Sequence, residues 1–196
     1  ISVIRPLSCG VISEDEMTQC LIREFVRKAS GYRLIKPRIV ICVPSFITDV
    51  ESRAVVEAAM NAGSRKVYLI QEPIAAMLGA GINMSKARGH LVVDIGGGTT
   101  DVAVVSMNGV VTSRSIKVAG NMIDQAIIRY VQKRHKLLIG DRTAEAIKKE
   151  LTNLYDPNDD VRMNIGGRNL LKGLPEMINI SELEVFDAIE DEVFEI

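Results

Sequence analysis

Between two β-branched runs, Leu91-Val92-Val93-Asp94 and Asp101-Val102-Ala103-Val104-Val105, the chain carries the string Asp94-Ile95-Gly96-Gly97-Gly98-Thr99-Thr100-Asp101. Both runs read as strands, so the glycine segment closes a hairpin. Three consecutive glycines present no Cβ, which lets backbone N–H groups approach and point at an anion. Thr99 and Thr100 add hydroxyl donors, and Asp94, ending a buried strand, is placed to hold Mg²⁺ through water beside a bound phosphate. A P-loop is excluded, because no Gly-Lys-Ser/Thr is present and a strand rather than a helix follows. A plain hairpin turn wants two residues and has no use for such a string. The string therefore predicts a phosphate-gripping loop in a cytosolic nucleotide-binding protein.

The segments before the loop alternate strands and helices. Ser13-Glu14-Asp15-Glu16 has capping-box spacing and opens a helix through Met17, Leu21, Ile22, Phe25 and Val26 that stops near Gly31. Arg38 to Val43 is a buried strand closed by Pro44. Thr48-Asp49-Val50-Glu51 is a second capping box, with a helix ending at Gly63. Val67 to Ile70 is a short strand, and Pro73 suits the start of the next helix. After the glycine hairpin, Val110 to Val118 is a third antiparallel strand entered by an Asn108-Gly109 turn. Asn121 to His135 and Thr143 to Leu151 are helical. Asp156 to Asp160 is a solvated turn, Val161 to Ile180 reads as short strands around Gly166-Gly167, and Ser181-Glu182-Leu183-Glu184 opens a last helix. The pattern predicts mixed sheets flanked by helices, an α/β fold. The polar stretch Asn83–His90 suggests a boundary near residue 85.

Composition narrows the function classes. The net charge of −1, from 24 basic and 25 acidic side chains, gives no electrostatic reason for binding nucleic acid in bulk. Trp is absent and aromatics make up 4%, which argues against base-stacking platforms. Cys9, Cys20 and Cys42 show no metal spacing and are expected as buried reduced thiols, in keeping with a reducing cytosol. No apolar run approaches the ~20 residues that span a bilayer.

Gln71-Glu72-Pro73 lies between a strand and a helix start, where ligands collect in sheet proteins of this kind. A carboxylate there could polarise water for attack on a γ-phosphate or help hold a metal. Capping of the helix dipole by Glu72 is the alternative, and the residues alone leave both open.

Gln71-Glu72-Pro73-Ile74-Ala75-Ala76, followed by Asp94 to Asp101, resembles the actin, sugar kinase and heat-shock chaperone ATPase superfamily. Within it the sequence is most similar to the MreB family of bacterial actin-like rod-shape-determining proteins. Lys36 to Pro44, Ile47 to Glu51, Ile139 to Glu145 and Gly173-Leu174-Pro175 agree in order and separation, and the resemblance covers essentially the whole chain. It implies an actin-like (ribonuclease H-like) ATPase fold of two lobes, incomplete at both ends. Residues 1–85 would belong to the first lobe. Residues 86–150 would form the core of the second lobe and the start of its outer subdomain, and 151–196 the rest of that subdomain with the start of a return helix.

By position, the resemblance makes Gly96, Gly97, Gly98, Thr99 and Thr100 the second phosphate loop, with Thr99 helping to orient the attacking water. Gln71 and Glu72 stand where the family usually has Glu-Glu, with catalysis assigned to a glutamate; Gln71 departs from that pattern. Gly120 resembles the glycine that lies against the nucleotide sugar. Glu145, Lys148 and Lys149 look like the polar residues bordering ribose and adenine, a solvated helix face being the alternative. ATP and Mg²⁺ are the implied cofactors. The superfamily's first phosphate loop and its later glycine segment are not found in the chain, so these 196 residues alone are expected to turn over ATP weakly or not at all.

In Tyr32-Arg33-Leu34-Ile35-Lys36, two apolar residues stand between cations, a pattern suited to an anionic membrane surface. The family resemblance places a membrane-contacting loop here, against the alternative that Leu34 and Ile35 lead into the core. The implied protein is a cytoplasmic filament subunit that binds itself, the inner membrane surface and the cell-wall synthesis and elongation machinery, and no nucleic acid. A kinase or chaperone ATPase of the same fold, or a non-hydrolysing scaffold, are the competing classes.

Overall fold

The computed structural model describes residues 6–8, 11–12, 14–31 and 35–196. Ser13, Cys9 and Leu34, each invoked above, lie outside the described residues. The chain forms two compact units, Ile1–Lys117 and Val118–Ile196.

Unit 1 opens with the short antiparallel pair β1 (Leu7–Ser8) and β2 (Val11–Ile12), then α1 (Asp15–Ser30). Glu14 is the N-cap of α1 without a side-chain cap bond, and Gly31, at φ 63°, ends it. β3 (Arg38–Val43) and β4 (Lys66–Gln71) are parallel and joined through α2 (Asp49–Asn61). The Thr48 capping box is present in full: Thr48 Oγ1 accepts the Glu51 N–H at 3.2 Å, and the Glu51 carboxylate accepts the Thr48 N–H at 2.8 Å. α3 (Glu72–Gly79) follows β4 directly. β5 (His90–Ile95), β6 (Thr100–Ser106) and β7 (Gly109–Ile116) form an antiparallel sheet.

α3 lies on that sheet, and Met77, Met84, Ala103 and Val105 are buried together beneath it. This packing groups β5–β7 with the segments before them in the compact unit that runs to Lys117. The β6–β7 turn also sits one residue earlier than the Asn108-Gly109 pair suggests. Met107 (φ 51°) and Asn108 (φ 61°) are its left-handed central residues, and Gly109 already pairs with Ser106. Cys20 and Cys42 are exposed rather than buried: Cys20 is on the outer side of α1, and Cys42 is at an outward position of an alternating strand.

Unit 2 comprises α4 (Gly120–His135), β8 (Leu137–Leu138), α5 (Asp141–Leu151), β9 (Arg162–Asn169), β10 (Pro175–Ser181) and α6 (Glu182–Glu195). Its sheet has the order β10-β9-β8, all antiparallel. Helical spacing buries Ile127 and Val131 of α4, Ala144, Ile147 and Leu151 of α5, and Val185 and Ile189 of α6 in one core with Ile165 and Ile180. The Ser181–Glu184 capping box starts α6 as its sequence indicates.

Gly166-Gly167 does not break the strand. β9 runs through the pair because β8 comes so close that a Cβ on Gly167 would stand 2.6 Å from the Leu138 carbonyl oxygen. The reversal comes later. Asn169 Oδ1 accepts the N–H groups of Leu171 and Lys172, and Gly173 takes φ 72°.

Candidate functional site

In unit 1 the end of β4, the start of α3 and the β5–β6 loop converge. The strand pairs Asp94 with Asp101 and Ile95 with Thr100. Gly96 to Thr99 then bridges the hairpin, and the Gly96 N–H donates to the Thr99 carbonyl at 2.9 Å. A Cβ on Gly96 would lie 3.3 Å from that same oxygen, so the residue is glycine for closeness of backbone rather than for an unusual φ. A hollow of about 400 Å³ is lined by Cys42, Glu72, Ala75, Ala76, Asp94, Gly96, Gly97, Gly98 and Thr99. Glu72, distant in sequence from the Asp94–Thr99 segment, thus faces one space with it.

Gln71 is the last residue of β4, in register with Val43, and Thr100 begins β6 with 1% exposure; neither lines the hollow. Asp101 is the residue that motif reading passed over as a site member. It is 1% exposed, and its Oδ1 accepts the Ser45 N–H at 3.4 Å. The signal for it was available, since a four-residue loop after Ile95 and before Thr100 sets Asp101 directly across from Asp94, on the same face of the sheet. Cys42, Ala75 and Ala76 gave no such signal.

Burial holds the Glu72 carboxyl above its ordinary range, and the nearby Asp101 and Asp94 carboxylates push it further up. Opposed carboxylates on adjacent strands repel one another. The donor set therefore suits a cation. Among the described residues, no three His, Cys, Asp or Glu side chains gather as a closed metal cage. Asp94 and Glu72 are the carboxylates that would hold a dication beside the glycine loop.

The residues assigned to the nucleoside lie in unit 2. Lys148 Nζ pairs with Asp124 Oδ1 at 2.8 Å and donates to the Gly120 carbonyl at 3.0 Å, which fastens α5 to the first turn of α4. Glu145 and Lys149 form an exposed i,i+4 pair at 2.6 Å, and the hydrogen bond between them lowers the Glu145 pKa and raises that of Lys149. Such a surface pair adds little stability. Ile35 is 69% exposed, between the undescribed Leu34 and the exposed Lys36. No described helix is long and apolar enough to cross a membrane.

With this geometry in hand, the comparisons with known proteins are specific. The family described as MreB/Mbl protein matches residues 1–196. The cell shape-determining protein MreB of Escherichia coli strain K12 is 44% identical over 194 residues, covering 97% of this chain and 56% of the relative. The cell shape-determining protein Mbl of Bacillus subtilis strain 168 is also 44% identical, covering 98% and 58%. MreB 5 of Spiroplasma citri bound to AMPPNP superposes with a TM-score of 0.87 at 35% identity, over 98% of this chain and 58% of that one. The actin-like fold is thereby shown, and the chain spans a little over half the length of the curated relatives it matches.

Proposed function

The chain belongs to the MreB/Mbl family, and from that premise we propose that the whole protein is an ATP-binding, actin-like cytoskeletal subunit. It polymerises into filaments on the inner face of the cell membrane and directs rod shape by positioning the cell-wall synthesis machinery. The observation that carries this reading is the hollow that joins Glu72 and Asp94 to the Gly96–Thr99 loop. The N–H groups of Gly97 and Gly98 and the Thr99 hydroxyl take the phosphate oxygens, while Gly96 closes the loop on the Thr99 carbonyl and Thr100, buried at the start of β6, anchors its far end. Asp94 would hold Mg²⁺ beside that phosphate, and the ion would supply charge neutralisation for phosphoryl transfer.

Glu72, its carboxyl made more basic by burial and then by the Asp101 and Asp94 carboxylates, is suited to accept a proton from the attacking water. Thr99 orients that water, and Gln71 supports Glu72 from the end of β4. In unit 2, Gly120 borders the sugar, while Glu145, Lys148 and Lys149 border ribose and adenine. The Lys148 contact to the Gly120 carbonyl joins those two residues. Leu34 and Ile35 contact the membrane, a role supported by the exposure of Ile35 beside cationic Lys36.

Sedimentation of the whole protein with and without ATP, alongside phosphate release, tests the reading. Pelleting that requires ATP is the expected result, with turnover lost in Glu72→Gln. Phosphate release without pelleting would point to a kinase or chaperone ATPase instead.

A further inference from the structure

The Asp101 carboxylate stands where a charge is hard to keep. The residue is 1% exposed, and it joins none of the ion pairs formed among the described residues. Its Oδ1 accepts a hydrogen bond from the Ser45 N–H, a neutral donor 3.4 Å away. Its acidic neighbours make matters worse. The hairpin register sets it directly opposite Asp94, which puts the two Cβ atoms about 5 Å apart. Glu72 is close enough to feel both carboxylates. A buried anion in such company destabilises the fold unless something positive offsets it.

The bond to Ser45 does not account for the charge. An asparagine oxygen would accept the same N–H without bringing a negative charge into a group of carboxylates. What aspartate adds at this position is the charge alone.

Two further observations connect that charge to the hollow. Glu72 and Asp94 line it and Asp101 does not, so Asp101 acts on whatever occupies the space through its field rather than by touch. Ser45 Oγ, on the residue that Asp101 holds, is buried and has no hydrogen-bond partner among the described residues. An orphaned hydroxyl of this kind marks a position suited to a bound water. Mg²⁺ sheds its water reluctantly and keeps several molecules of it in protein sites.

We propose that Asp101 is a positioning residue for the dication, the one whose charge makes nucleotide binding depend on the metal. Without the ion, Glu72, Asp94 and Asp101 together repel incoming phosphates. With the ion in place, the same three charges hold it against those phosphates. The proposal rests on the nucleotide reading above and assigns the origin of its metal requirement. A purely structural Asp101, serving only to fasten the Ser45 turn to β6, predicts something different: its loss would weaken nucleotide binding alike with metal and without.

Calorimetric titration of the whole protein with AMPPNP, at stepped Mg²⁺ and in excess EDTA, separates the two. The variants are Asp101→Asn, which keeps an acceptor for the Ser45 N–H, and Asp101→Ala, which does not. Asp101→Asn should need roughly tenfold more Mg²⁺ for half-maximal AMPPNP binding, the lower end of what one close charge does to another. In EDTA it should bind AMPPNP at least as tightly as the parent, because one repelling charge is gone. Mn²⁺ in place of Mg²⁺, followed by electron paramagnetic resonance, should show the same weakened ion binding with no turnover involved. Asp101→Ala should share the altered metal dependence and melt below Asp101→Asn, since the Ser45 turn has also lost its acceptor.

An unchanged Mg²⁺ requirement in Asp101→Asn would overturn the proposal, as would AMPPNP binding weakened equally with and without Mg²⁺. So would an Asp101→Asn protein that melts well below the parent in EDTA, where removal of a repelling charge should leave the fold at least as stable. If the parent binds AMPPNP with Mg²⁺ and Asp101→Asn behaves identically, this proposal fails and the nucleotide reading stands. If the parent binds no AMPPNP at any Mg²⁺ concentration, the nucleotide reading itself fails.

Discussion

Two adjacent glycines in β9 should respond in opposite ways to the same substitution. A Cβ at Gly167 would stand 2.6 Å from the Leu138 carbonyl oxygen, 2.8 Å from Leu137 Cγ and 3.1 Å from Ile139 Cγ2. None of these can yield cheaply, because Leu138 is held in the β8–β9 ladder and Leu137 is fully buried in the unit 2 core. Overpacking of this kind costs about 1–3 kcal/mol, and backbone involvement puts Gly167→Ala at the upper end. The stiffer alanine backbone returns about 0.5–1 kcal/mol, leaving a net loss of about 2 kcal/mol. At roughly 4–8 °C per kcal/mol for a domain this small, unit 2 should melt about 8–16 °C lower.

At Gly166 the new Cβ meets only Met177 Sδ, at 2.8 Å, on a side chain that is itself largely exposed and free to swing away. Gly166→Ala should therefore be neutral or slightly stabilising. Thermal unfolding followed by circular dichroism, with amide exchange read at Ile165 and Leu137, measures both. A Gly167→Ala midpoint within about 2 °C of the parent, or equal damage from Gly166→Ala, would refute the argument from the β8 approach.

Four other perturbations probe the site and its support. Gly96→Ala presses on the Thr99 carbonyl at 3.3 Å and should weaken ATP binding by the whole protein, read by calorimetry, while shifting stability by less than about 1 kcal/mol. Because the Glu72 carboxyl is held above its ordinary range, the folded chain binds that proton more tightly than the unfolded one. Its stability is thus lost as pH rises from the ordinary carboxylate range through the raised native value. Glu72→Gln should then melt above the parent at neutral pH, with the gap closing on acidification; a gap that widens on acidification contradicts the assignment. Thr48→Ala removes a reciprocal cap and should cost about 1 kcal/mol in denaturant unfolding. Serine at both Leu34 and Ile35 should abolish sedimentation with anionic liposomes, and unchanged binding would remove the membrane role from this loop.

Short-range chemistry made much of this protein legible in its sequence. The Thr48–Glu51 and Ser181–Glu184 capping boxes close within three residues, and both are formed. The glycine hairpin closes on the bond between Gly96 and Thr99, and its strands lie where the apolar runs place them. The Asp94 to Asp101 string and the Gln71-Glu72-Pro73 step carried the family, because their order along the chain is itself the signal. Other features depend on segments that meet only after folding. Asp101 became part of the site when the register set it across from Asp94 and the segment after β3 brought up the Ser45 N–H. Lys148 gained its partners when α5 packed on the start of α4. Gly166-Gly167, which reads locally as a strand break, is a strand because β8 requires a residue without a side chain at Gly167. A hollow lined by Arg129, Gln132, Lys133, Lys136 and Leu170 brings α4 together with a hairpin tip more than thirty residues later in the chain. A sequence specifies interactions between near neighbours almost directly, whereas contacts across such separations are fixed by packing, and packing belongs to the folded chain as a whole.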